Sequence, residues 1–442
     1  MSLARRLASQ STIIFGGRLF GAGLIFLVQA FISQVWGAAI LGDYLVVIAA
    51  VNLIAVTMPL GFQTIGTYFA AEYRARNDRG QLMAFVIRAY GHVGLTFVAL
   101  VLAGPFVLGR LGLGEHVVAV HYVPVALLAL ATALVYVNGA VLVGLKRPFA
   151  GFFADGIFRP MMVLGTVLVC AAMLSAPAEA FSAMLWVTAF GYVLIALVHM
   201  GFVVVTLPRV GATAETRGAD APRWWRFAAP WVLITLATDF FFDIDLLLLA
   251  NLLDREELAI FGVCTRIFAL VSFGVAAVYA VILPDMFESE ANADRAAFHR
   301  KVGEANLAAS AVSLVLFGLV IIGAPFALLL FGPEFTAGAL PLAILCLGLV
   351  VRSVMGPASM VLSIHDRPWA SLPAVLVVAD GAYELQVASV RQNADAERER
   401  GRLAGAFPDL LGALDLRVQE ASVEGAGTFF RVRSGAIADL GV

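Results

Sequence analysis

Charge is scarce in this 442-residue chain: only 14% of its residues are Asp, Glu, Lys or Arg, about half the share in an ordinary soluble domain. The two signs nearly cancel, 29 basic against 31 acidic, for a formal net charge of −2. That leaves no basic field for nucleic acid and no acidic, disordered tail. Cysteine is scarcer still. Cys170, Cys264 and Cys346 stand far apart inside apolar stretches, which excludes a disulfide framework or a zinc knuckle and reads them as small core residues. Also missing are a P-loop, an HExxH and a GxSxG constellation, so no catalytic residue, metal or cofactor is expected and the chain is not read as an enzyme.

What the sequence has is apolar length. The set AVILMFWYC makes up 61% of the chain before its 41 glycines are counted, against roughly 45 to 50% for soluble domains with glycine included. A helix needs about 20 mostly apolar residues to cross a bilayer. Ten stretches offer them, near residues 11–33, 41–62, 82–108, 118–144, 157–175, 181–207, 228–252, 258–283, 305–330 and 339–363. Backbone groups in lipid must be satisfied within each segment, so an all-α polytopic membrane protein follows. The first stretch is too long for a signal-peptide core and is read as retained.

Lys and Arg gather on the cytoplasmic side of membrane proteins. With the N-terminus inside, that side and its margins collect Arg5, Arg6, Arg74, Arg76, Arg79, Arg88, Lys146, Arg147, Arg209, Arg217, Arg223, Arg226, Arg295, Arg300, Lys301 and Arg367. The outer loops hold only Arg110 and Arg255. A polar connection near residues 208–223 divides the spans into a first lobe at 1–207, a cytoplasmic linker at 208–227 and a second lobe at 228–379. Residues 369–379 are apolar but would reach only about 16 Å as a helix, too short to cross unaided. On this count the C-terminus lies in the cytoplasm.

Ionisable residues inside spans usually face a bundle interior or a wet cavity. Here they are Arg18, Arg266 and Arg352, with Asp239, Asp243 and Asp245. Asp239 and Asp243 are four apart and share a helix face, whereas Asp245 looks elsewhere. Two readings stand. The arginines form a cationic path for a phosphate-bearing head group, since guanidinium forks grip phosphate oxygens in pairs, or they pair with the aspartates between helices. Arg159, nearer a span end, is read as snorkelling to the interface. His92, His121 and His199 are read as hydrogen-bonded packing residues.

Residues 60–81, LGFQTIGTYFAAEYRARNDRGQ, resemble the second-span exit and first basic loop of polysaccharide flippases in the multidrug/oligosaccharidyl-lipid/polysaccharide exporter (MOP) superfamily. Residues 243–284, with an acidic residue before a leucine run and the Arg of CTRIFAL, resemble that family's second-lobe opening, and residues 330–338, LFGPEFTAG, its outer loop. The resemblance covers about residues 1–378. It implies a MATE-like fold of about 10 to 11 transmembrane helices in two lobes. It further implies alternating-access flipping of a lipid-linked oligosaccharide across the bacterial inner membrane for polysaccharide or cell-envelope biosynthesis, lipopolysaccharide included. Family members generally have twelve or more spans.

Beyond residue 380 the composition changes to alternating strand-like runs around one charged helical segment, in the order strand, helix, strand, strand. GAGT at residues 425–428 is the expected turn between the last two strands. YELQVASV, LRVQEASV and FFRVRSGAI resemble a SPOR domain, which implies a small α+β module over 380–442 that binds peptidoglycan glycan strands. Gln386 and Ser389 fall on that family's first-strand pattern and Phe430, Arg431 and Arg433 on its last, while Ala436 and Ile437 depart from it. Two other functions stay open. One is a membrane-anchored peptidoglycan-binding protein without transport, the other a cation-coupled multidrug antiporter using Asp239 and Asp243.

Overall fold

A computed structural model describes residues 3–110, 112–207, 221–238, 241–291, 295–355, 386–390, 397, 398, 401, 416–423 and 427–434. Asp239 and residues 369–379 lie outside the described residues, as do the side chains of Arg18, Gln386, Ser389, Phe430, Arg431 and Arg433. The chain divides into two compact units, Met1–Pro357 and Ala358–Val442.

The first unit is helical throughout its described residues. It opens with α1 (Leu3–Trp36), α2 (Ala38–Thr57), α3 (Phe62–Ala75), α4 (Arg79–Arg110), α5 (Val117–Val120), α6 (Tyr122–Gly144) and α7 (Pro148–Phe153). A π-helical turn (Ala154–Phe158) leads into α8 (Arg159–Met173) and α9 (Pro177–Thr206). Then come α10 (Ala221–Thr238), α11 (Phe241–Leu249), α12 (Arg255–Ala291), α13 (Arg295–Leu329), a 3-10 turn (Pro333–Gly338) and α14 (Ala339–Met355). Nine of the described helical stretches are long and apolar enough to cross a membrane. The expected span at 228–252 is present as α10 and α11, with residues 239–240 between them outside the described set. Large apolar side chains cover the outside: Met173 is 78% exposed, Leu102 75% and Phe326 72%. Such a surface is stable against lipid and not against water. This is a multi-pass membrane protein.

The α2 and α6 spans are the most enclosed, and α4 is the most peripheral. On α2, Leu41, Leu45, Val47, Ala49 and Val51 have no exposed surface, which fits a helix hydrophobic on every face. It packs against α1 and α6 on one side and against α11 and α12 on the other, so it is the wall shared by the two halves of the bundle. Two glycines on this wall permit close backbone approach. A Cβ on Gly42 would collide with the Arg255 carbonyl of α12. Gly61 has φ +86° and faces the Ala228 carbonyl of α10, so a side chain there would be both strained and obstructed.

Pro160 explains the π-turn. In an unbroken α-helix its ring would clash with the carbonyl of residue 156 and leave one backbone acceptor without a donor. The wider turn at Ala154–Phe158 absorbs that misfit. The bare backbone of Gly156 then lies so close to Gly21 on α1 that a Cβ at position 21 would meet its carbonyl. The turn is thereby pinned against α1.

In the second unit, β1 (Gln386–Val390), β2 (Leu416–Val423) and β3 (Gly427–Ser434) form an antiparallel sheet in the order β1-β3-β2, with helical residues Glu397, Arg398 and Gly401 between β1 and β2. Val423 pairs with Gly427. The expected GAGT turn overlaps residues 424–426, which lie outside the described residues.

Candidate functional site

A cavity of about 380 Å³ lies among α1, α2, the π-turn, α8 and α12. Much of its wall is apolar, including Leu19, Ile25, Phe26, Val163, Leu270 and Phe273. Set into that wall are Gln29, Tyr44, Asn52, Asp155, Arg159 and Arg266. Largely apolar walls with a few convergent polar groups are the general form of a small-molecule site.

Two ion pairs face this cavity, one from each half of the bundle. In the first half, Arg159 Nη1 is 3.2 Å from Asp155 Oδ1. The same oxygen accepts a 3.0 Å hydrogen bond from the Tyr192 hydroxyl, and the guanidinium lies 5.1 Å from the Tyr192 ring centroid. Asp155 and Arg159 are four apart, so the π-turn and the first turn of α8 aim both into one space. In the second half, Arg266 Nη2 is 3.1 Å from Asp243 Oδ1. Asp243 is 6% exposed, and its Oδ2 accepts from Asn52 Nδ2 of α2 at 3.3 Å. Each guanidinium therefore meets the cavity beside a carboxylate of its own half.

The sequence-predicted residues distribute unevenly over this arrangement. Arg266 lines the cavity and Asp243 holds it in place. Asp245 sits on α11 half-buried and outside the lining. Arg352, on α14, is exposed and also outside it. Arg18 precedes the lining residue Leu19 on α1. Arg159 departs from the expectation of snorkelling: it turns inward, with 15% of its side chain exposed, because Asp155 and the Tyr192 ring receive it. His199 is 3% exposed with Nε2 2.8 Å from the Ala150 carbonyl, while His92 meets Phe62 edge-on and Trp225 at a tilt, and His121 meets Phe181 edge-on. The three cysteines are free and buried. Among the described residues no group of His, Cys, Asp or Glu could hold a metal ion.

Sequence reasoning missed two seams that tie the halves together. At the start of α2, Asp43 Oδ2 is 3.1 Å from Arg255 Nη1 of α12, beside the Gly42 approach. Past the other end of α2, Glu72 on α3 receives Arg223 of α10 through both oxygens, at 2.9 and 3.0 Å. Arg223 also lies over the Phe69 ring at 5.1 Å, and Trp224 Nε1 donates to the Tyr73 hydroxyl at 2.7 Å. Separations of 212 and 151 residues leave no local signal for such pairs. The spacing of Asp155 and Arg159 was a usable signal, as was the presence of Asn52 inside an otherwise apolar span.

In the sheet, Arg431 is paired with Ser389 on one side and Gln419 on the other, and Arg433 with Gln386 and Arg417.

Residues 379–441 match the family model of the SPOR domain. The fold is that of MATE transporters. It resembles the inward-facing conformation of a multidrug resistance MATE family transporter of the MOP superfamily with a TM-score of 0.63 at 15% identity, over 80% of this chain and 84% of that one. It also resembles MATE in a bent conformation, with a TM-score of 0.54 at 16% identity over 81% and 82% of the two chains. A third likeness is to MATE in complex with MaL6, with a TM-score of 0.53 at 14% identity over 81% and 85%. No curated protein matches the sequence.

Proposed function

We propose that the first unit moves a lipid-linked oligosaccharide across a bacterial inner membrane by alternating access. In this reading the N-terminus is cytoplasmic, the lobes at 1–207 and 228–379 are joined by a cytoplasmic linker at 208–227, and an eleventh crossing at residues 369–379 carries the SPOR module at 380–442 outside, where Gln386, Ser389, Phe430, Arg431 and Arg433 meet peptidoglycan glycan. The observation that carries the reading is the convergence of Arg159 and Arg266, one from each half, on a single cavity. Guanidinium forks suit phosphate oxygens better than any other side chain, and two of them on opposite walls suit a bridging pyrophosphate. The surrounding apolar wall suits the first isoprenoid carbons of a carrier lipid. No covalent chemistry is required of the chain.

The test is export of a sugar polymer in a complementation assay with the protein confirmed in the membrane. Arg159→Ala and Arg266→Ala each lower export at least about tenfold, the loss expected from removing one charge-assisted contact. Arg352→Ala, outside the cavity lining, leaves export unchanged. Retained export in both cavity variants would overturn the reading. A second reading, cation-coupled export of organic cations, draws on the burial of Asp243 beside Asn52 and on the multidrug description of one structural relative. Resistance to cationic dyes that is lost in Asp243→Asn and kept in Arg266→Ala would favour it instead.

A further inference from the structure

Two residues that line this cavity carry a buried amide oxygen without a partner among the described residues. Gln29, on α1, is 2% exposed, and its Oε1 has no hydrogen-bond partner among the described residues. Asn52, on α2, is oriented by donating Nδ2 to Asp243, which leaves its buried Oδ1 likewise without a partner. Both residues line the cavity. A buried acceptor left unpaired loses its hydration with nothing in return, and such groups are uncommon unless an ordered water, an ion or a ligand completes them. The two guanidinium groups that share the cavity do not complete them, since each is held by its own carboxylate.

A phosphate cannot satisfy these oxygens, because an ionised phosphate brings only acceptors. What they demand is a ligand part that donates hydrogen bonds beside one that accepts them. A hexose does so through its hydroxyls, and an N-acetylhexosamine adds an amide N–H. We propose that Gln29 Oε1 and Asn52 Oδ1 form an acceptor pair that reads the first sugar of the substrate, next to the arginines that hold its phosphates. The pair makes the cavity selective for glycosylated lipid over the bare carrier. This rests on the proposed reading of the cavity as a phosphate-and-sugar site. It goes beyond that reading in naming which residues discriminate and which chemical group they require. Discrimination of this type is strong, because a lipid lacking the donors would bury the two oxygens unpaired.

The experiment measures binding of two probes to the full chain in lipid nanodiscs. One is a long-chain prenyl pyrophosphate, the other the same lipid carrying a single N-acetylhexosamine. The wild-type protein binds the glycosylated probe more tightly. Gln29→Leu keeps the side chain's size and removes the acceptor, and it weakens the glycosylated probe about tenfold while leaving the bare lipid unchanged. Unchanged binding of the bare lipid also certifies that the variant is folded. Equal weakening of both probes would make Gln29 a structural residue and overturn the proposal, as would no effect on either. If neither lipid binds the wild-type protein, or if Arg159→Ala with Arg266→Ala leaves both affinities intact, the phosphate reading itself fails and takes the sugar reading with it.

Discussion

Arg266 reaches the cavity already neutralised by Asp243, and this sets its behaviour more than its charge alone does. Removing the carboxylate charge leaves a guanidinium in a largely apolar wall, where an arriving anion gains what the aspartate held. Asp243→Asn should tighten binding of a pyrophosphate probe about fivefold, corresponding to about 1 kcal/mol for a partly exposed pair. It should also slow release; isothermal titration and single-turnover export would show the two effects together, and weaker binding would count against the cavity being an anion site. His116 gives a different kind of prediction. Its ring caps the short helix α5 by accepting from the Val118 N–H at Nδ1, 3.4 Å away. Burial and the neighbouring Arg255 charge hold its pKa below the usual histidine value. The folded protein therefore binds fewer protons here than the unfolded chain, and the stabilisation is complete above about pH 6.5 and is lost as pH falls through the lowered value. Thermal unfolding in detergent should show acid sensitivity in that window that is reduced in His116→Asn, which keeps a capping oxygen without the titration.

At the scale of elements, α2 runs between two seams. The Asp43 to Arg255 contact closes one end and the Glu72 to Arg223 contact the other. If the halves rock about the cavity, these seams compete, and weakening one favours the conformation that opens its end. Spin labels at Gly114 and Glu256 report the Asp43 end. Asp43→Asn should lengthen the distance between them and Glu72→Gln should not, and equal lengthening by both variants would exclude a competing pair of seams. The membrane helices were legible in the sequence because a span is a long uniform signal. Arg266 and Asp243 were legible because a charge in such a span has few reasons to be there. The first-half pair was harder to read: Asp155 fell just outside a predicted span and Arg159 at its start, and only the π-turn forced by Pro160 turns both inward. Gln29 was silent, since an uncharged amide barely alters the apolar average that identifies a span.

At the scale of the whole molecule, a transporter-like bundle and a glycan-binding type of module share one chain, and their joint use depends on which side of the membrane each occupies. Paired phosphatase and fluorescent-protein fusions at Val442 decide it. Phosphatase activity would place the module where peptidoglycan is. The full chain should then sediment with denuded glycan strands, and a version ending at Pro357 should not. Fluorescence alone would separate the module from that ligand. The legibility of the module differed from that of the bundle, since the strand alternation gave the order of elements but not the pairing. Only the structure shows that β3 lies between β1 and β2. The two self-neutralised arginine pairs of the bundle carry one more consequence, electrical in nature. Two positive and two negative groups leave the vacant cavity without net charge, so a carrier returning empty moves no charge through the membrane field. A pyrophosphate head group adds about two negative charges, each coupled to the potential by up to about 2.3 kcal/mol per 100 mV. An inside-negative potential would then drive the loaded step outward and leave the return step indifferent, so that in proteoliposomes with equal substrate on both sides the voltage would set the direction of net flux.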